Sequence, residues 1–150
     1  MKFTIIGILT LFGLDLSLGK LYTKCELARE LSTHLRMDYE EIQNWVCIAQ
    51  ISSFDTSRKV YDSSDGHYSH GLFLISDRWW CSHGEDRPEE NTCGVDCSEL
   101  RSDNITASVN CARKIYQVWQ TGSGYEAWWY WPKNCKNRLP DLKSCNLGPL

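Results

Sequence analysis

The stretch Lys59-Val-Tyr61-Asp62-Ser-Ser-Asp65-Gly66-His67-Tyr-Ser69-His70-Gly71-Leu-Phe-Leu74-Ile75 decides the fold class. Lys59–Tyr61 is a short strand by composition. Asp62 to Gly66 is rich in turn residues, and His67 to Ile75 returns as a second strand, so the segment is predicted to be a small antiparallel hairpin. Helical periodicity surrounds it. From Lys24 to Leu35, the residues Leu27, Ala28, Leu31 and Leu35 mark one face, and Ile42, Trp45, Val46 and Ala49 repeat the spacing. Asp38, with Glu41 three residues later, is predicted to cap the second of these helices. After an irregular cysteine-dense segment, Asp103 or Asn104 is expected to cap a third helix with Ile105, Val109, Ala112, Tyr116 and Trp119 on one stripe. Glu126 to Trp131 reads as a fourth helix ended near Pro132. Helices, a small sheet, then helices again make an α+β protein.

The composition narrows the function. The chain has 150 residues, one domain's worth, with 16 Lys+Arg against 19 Asp+Glu and a formal charge of -3. That balance argues against a nucleic-acid partner, which demands a basic patch. Seven Trp, seven Tyr and eight Cys are the anomalies. The N-terminus reads as a secretory leader: Lys2, an apolar run from Phe3 to Leu14, then small residues Ser17 and Gly19 before a cut. Residues 1–19 are thus expected to be removed, leaving a domain of residues 20–150. Asp15 is unusual so near the apolar run, and a short membrane-anchored stem is the alternative. With no second long apolar run, the mature chain is expected to be soluble, extracellular and monomeric. Export to an oxidising compartment makes four disulfides the natural use of eight cysteines. Cys93-x3-Cys97 has zinc-like spacing, but no second close pair completes a ligand set, so no metal and no cofactor are expected. Counting leaves the pairing open.

Five ordered motifs then resemble one family. They are Cys25-Glu-Leu-Ala, Asn44-Trp45-Val46-Cys47, the run from Gly71 to Trp79-Trp80-Cys81, the run from Ile105 through Cys111 to Ile115, and Ala127-Trp128. The chain from Lys20 to Leu147 resembles the C-type lysozymes and lactalbumins, glycoside hydrolase family 22, with an insect-like cast. The resemblance implies a helical lobe, a sheet-bearing lobe and a saccharide cleft between them. It implies the disulfides Cys25–Cys145, Cys47–Cys135, Cys81–Cys97 and Cys93–Cys111. It also places Trp79, Trp80, Ala127 and Trp128 against the sugar. Trp45, Trp129 and Trp131 are assigned mainly to the helical core.

Retaining hydrolysis of a β-1,4 glycosidic bond uses two carboxyl groups, a protonated acid and an ionised partner. In the family the acid stands five residues after the cysteine of the Trp-x-Cys motif, which here is Ser52. The nucleophile stands two residues before the glycine of the next motif, which here is Ser69. A hydroxyl is too weak an acid to replace the first and carries no charge to replace the second. Neighbours Ile51 and Ser53 do not help, and Leu74 and Ser76 replace further polar cleft groups. Asp55 and Asp65 are the nearest substitute carboxylates, read mainly as loop and turn chemistry. His67 would share a strand face with Ser69, but no third orienting group is visible, and the His67-x2-His70 pair is read as surface histidines. Ser102, Ala107 and Ser108 stand where lactalbumin-type calcium ligands would be. The stretch from Cys111 to Cys135 is longer than in vertebrate members. Asn104-Ile105-Thr106 is a glycosylation sequon that competes with a helix-capping role for one side chain.

The reading that follows is a secreted, non-catalytic lysozyme-like protein of innate immunity. It would hold bacterial peptidoglycan or chitin-type N-acetylhexosamine oligomers without cutting them. One alternative is a weak muramidase with a substitute carboxylate. Another is an interaction protein using the scaffold for a protein partner.

Overall fold

The computed structural model describes residues 19–84 and 90–148. The leader reading falls on residues 1–19, which except for Gly19 lie outside the described residues. Helix α1 is Lys24–Thr33 and α2 is Tyr39–Ile48, followed by a 3₁₀ turn, Ala49–Ser52. Strands β1 (Lys59–Asp62), β2 (His67–His70) and β3 (Ile75–Ser76) form one antiparallel sheet in chain order. Helix α3 is Thr106–Val118, a 3₁₀ turn spans Gly124–Ala127, and α4 is Tyr130–Asn134. The α+β expectation holds.

Local chemistry explains the ends. Thr23 and Glu26 form a reciprocal capping box on α1, with Glu26 Oε2 accepting from Thr23 N at 2.8 Å. At α2 only half of such a box exists. Asp38 accepts from Glu41 N at 2.8 Å, but the Glu41 carboxylate turns inward to Trp45 Nε1 at 3.2 Å and to Arg113 Nε at 2.8 Å. The predicted long second strand is broken. Gly71 has a φ of +71°, and a side chain there would collide with the Leu100 carbonyl, so the chain turns and re-enters the sheet only at Ile75.

The third helix corrects two expectations. Its capping position is Ile105, without a side-chain cap. Asn104 Oδ1 accepts from Thr106 N at 3.1 Å, while Asp103 Oδ1 takes Thr56 Oγ1 at 2.9 Å and also meets Lys20 N. Tyr116 and Trp119 are 39% and 42% exposed, and Ser108, Cys111 and Ile115 share the buried face with Val109 and Ala112 instead. The fourth helix is likewise displaced. Pro132 sits inside its first turn, where its missing N–H costs no helical bond, rather than ending it.

Trp45 centres the core, with ring centroids 5.2 Å from Trp128, 5.1 Å from Tyr125 and 5.4 Å from Phe73. The four disulfides pair as the resemblance implies: Cys25–Cys145, Cys47–Cys135, Cys81–Cys97 and Cys93–Cys111. No described helix is long and apolar enough to cross a membrane.

Candidate functional site

A cleft of about 710 Å³ runs between the sheet and the helical lobe. Val60, Tyr61, Asp62, Asp65, His67 and Ser69 form its sheet wall. Leu74, Ile75, Ser76 and Trp80 form the floor, and Ala127 to Tyr130 with Gln50 and Ile51 form the helical wall. Leu74 holds a φ of +46°, a costly backbone for a branched side chain, and is only half-buried where it lines the site.

Of the residues the sequence singled out, Ser69, Trp80, Ala127 and Trp128 meet in this cleft. Trp79 is 43% exposed beneath the Arg78 guanidinium, 4.6 Å from its ring, but is not part of the cleft wall. Trp128 is 6% exposed and its indole N–H donates to Phe73 O at 2.8 Å. It therefore offers a ring edge to a ligand and no donor. Trp129 contradicts its core assignment: it is 67% exposed and stands on the helical wall. Trp128 and Trp131, three residues apart, share the face that packs inward, and Trp129 between them points out. Tyr61, 55% exposed and packed at 5.0 Å against Tyr68, is a second aromatic wall residue missed by sequence reasoning.

Ser52 is fully buried, and its Oγ lies 2.9 Å from Ala49 O and 2.8 Å from Leu72 O. Its hydroxyl proton is held by backbone carbonyls and is not presented to the cleft. No hydrogen bond among the described residues joins Ser69 Oγ to a histidine, so the Ser-His pairing is absent there. Asp55 is tied to Ser57 N and Oγ at 2.8 and 2.7 Å and does not line the cleft. Asp62 and Asp65 do line it. The Ser64 hydroxyl and N–H hold the Asp62 carboxyl below its ordinary value, the wrong direction for a general acid. Asp65 Oδ1 accepts from His67 N at 3.0 Å, closing the hairpin turn.

Where β2 meets the chain after β3, and reaching the cleft wall at His67, lies a cluster the sequence did not reveal. The Asp77 carboxylate meets His67 Nδ1 at 3.2 Å, His70 Nε2 at 3.1 Å, His83 Nε2 at 3.0 Å and Tyr68 N at 3.0 Å. His70 is fully buried, which overturns its reading as a surface histidine. Burial pushes its pKa down, and the Asp77 hydrogen bond opposes that. For Asp77, burial pulls upward, but His70, His83 and the Tyr68 N–H outweigh it and hold the carboxyl at about 2. His70, His83 and Cys97 bring ligand atoms within 4.8 Å of one another, yet the Cys97 sulfur is spent in its bond to Cys81. Two imidazoles do not complete a metal set.

Residues 20–145 match the model of the C-type lysozyme/alpha-lactalbumin family. The chain is 39% identical over 134 residues to lysozyme C of Pelodiscus sinensis, covering 86% of this chain and all of that protein. It is 37% identical to a lysozyme of Bombyx mori, covering 85% of this chain and 88% of the relative. A turtle and a silkworm protein match about equally, so an insect-like cast is not singled out. The crystal structure of a lysozyme from Litopenaeus vannamei superimposes with a TM-score of 0.71 at 36% identity, covering 85% of this chain and 95% of that one. Shared sequence over nearly the whole domain, the same two lobes and the four disulfides lead to one conclusion: the chain belongs to the C-type lysozyme/alpha-lactalbumin family.

Proposed function

We propose that this protein is a secreted saccharide binder that holds β-1,4-linked N-acetylhexosamine oligomers, from peptidoglycan or chitin, without cutting them. The first nineteen residues act as its leader, it works as a monomer, and an innate-immune setting follows by family analogy alone. The observation that carries the reading is Ser52. A buried hydroxyl committed to two carbonyls stands where the family resemblance puts the acid. Ser69 stands where it puts the ionised partner, so neither half of the two-carboxylate scheme is present. Trp80, Trp129, Tyr61 and the backbone of Ala127 supply ring faces and an acceptor for sugar. Residual hydrolysis is the second reading. It is favoured by the relatives, which are named lysozymes, and it would fall to Asp65 on the cleft wall.

A cell-wall clearing assay beside a chitooligosaccharide titration separates these. Saturable binding without clearing is the expected result. Clearing that disappears in D65N would establish the enzyme and name its acid. Neither clearing nor binding would leave the scaffold to a protein partner.

A further inference from the structure

Outside the cleft, one surface residue carries a chemistry that the saccharide reading does not use. Asn104-Ile105-Thr106 is the only Asn-x-Ser/Thr triplet in the chain. Asn104 is exposed, in the irregular segment that leads into α3. Its Oδ1 accepts the backbone N–H of Thr106 at 3.1 Å, and its own N–H donates to Ser102 Oγ at 3.2 Å. Among the described residues, its Nδ2 enters no hydrogen bond. We infer that Asn104 carries an N-linked glycan. The inference rests on the leader reading of residues 1–19, and it does not depend on what the cleft binds.

Capping and glycosylation were expected to compete for this side chain; Asn104 is not the cap of α3, and the one backbone bond its Oδ1 accepts leaves Nδ2 available. In the transfer, Asn104 Nδ2 attacks C1 of the reducing-end sugar of a polyisoprenyl-diphosphate-linked oligosaccharide. The C1–N bond forms, the C1–O bond to the diphosphate breaks, and the lipid diphosphate leaves. Nδ2 gives up one proton to a base of the transferase. The product is still an amide, so Oδ1 keeps its lone pairs and its bond to Thr106 N. The atom that is modified and the atom that orders the start of α3 are different atoms of one side chain. The folded protein also has room for the adduct. Asn104 borders an open surface groove of about 560 Å³ with polar walls from Glu99, Ser102, Thr106, Asn110 and Lys114. None of these residues lines the cleft, so the glycan covers the α3 entrance and leaves the sugar-binding face open.

The test is expression of the full chain in secreting mammalian cells, with intact-mass measurement before and after peptide N-glycosidase F. The wild type is expected to carry excess mass that the glycosidase removes, mapped to the peptide containing Asn104. T106A removes the triplet's hydroxyl while keeping Asn104 and the backbone N–H that its Oδ1 accepts from. N104D keeps the oxygen that accepts from Thr106 N and removes Nδ2. Both variants are expected to lose the excess mass completely, and T106S to retain it. A secreted wild type of unmodified mass overturns the proposal, as does an unmodified chain held inside the cell, or excess mass that survives in T106A. Chitooligosaccharide titration of the same samples, with and without glycan, is expected to give equal affinities. A glycosylated protein that binds no sugar would sink the saccharide reading and leave this one standing.

Discussion

Trp129 is 67% exposed at the cleft, while Trp131, two positions on, is 7% exposed and donates its indole N–H to Asn44 Oδ1 at 2.7 Å. The two therefore have separable roles. W129A is expected to weaken chitooligosaccharide binding about ten- to hundred-fold, the loss of a ring platform of about 1–3 kcal/mol, with thermal stability unchanged. W131A is expected to cost about 3–5 kcal/mol in urea unfolding, because it opens a cavity and strips the buried Asn44 oxygen of its donor. Equal affinity loss from both variants at temperatures where both stay folded would refute this division. Trp80, Ala127 and Trp128 were legible as cleft residues only through the family resemblance, which also placed Trp79 there, and Trp79 does not line the cleft. Trp129 was not legible, because in a segment this rich in indoles the sequence does not say which face packs against the core and which faces the cleft. The partners of Ser52 were equally hidden, since Leu72 O lies twenty residues away in sequence.

At the level of elements, Asp77 fastens the far end of β3 to β2 through His67, Tyr68 and His70, and to the loop after Cys81 through His83. Its carboxyl ionises near 3.8 in an unfolded chain and at about 2 in the fold, so its contribution, about 2 kcal/mol, is complete above pH 3.8 and lost as pH falls toward 2. His70 acts in the same sense over a higher window. Burial holds its pKa below the ordinary 6.5, so the fold favours the neutral ring, and that contribution is complete above pH 6.5 and declines below it. Calorimetry is expected to show Tm falling in two stages on acidification, and D77N to flatten the lower stage. A Tm that rises below pH 6.5 would contradict the assignment. The elements themselves were largely readable, as turn residues and apolar spacing are local signals. The knot was not: no sequence pattern marks one carboxylate shared by three histidines spread from position 67 to position 83.

Across the whole molecule the disulfides differ in reach. Cys25–Cys145 spans 120 residues and Cys81–Cys97 spans 16. Loop closure alone assigns them about 5 and about 3 kcal/mol. C25A/C145A is thus expected to lower the urea midpoint more than C81A/C97A, and alkylation of the unreduced native protein to label no cysteine. The pairing was legible only through family resemblance, since counting leaves every arrangement open. The bond from Trp128 Nε1 to Phe73 O adds a different kind of link, because it joins the helical wall to the turn beneath the sheet at 2.8 Å. Its proton leaves for solvent only when those segments part. The two-lobed molecule thus carries its own clock: the exchange rate of one indole hydrogen times the breathing of the cleft. In heavy water that resonance should outlast the exposed Trp129 indole by orders of magnitude, and slow further when an oligosaccharide holds the lobes together. Exchange as fast as that of Trp129 would mean the cleft opens freely at its base.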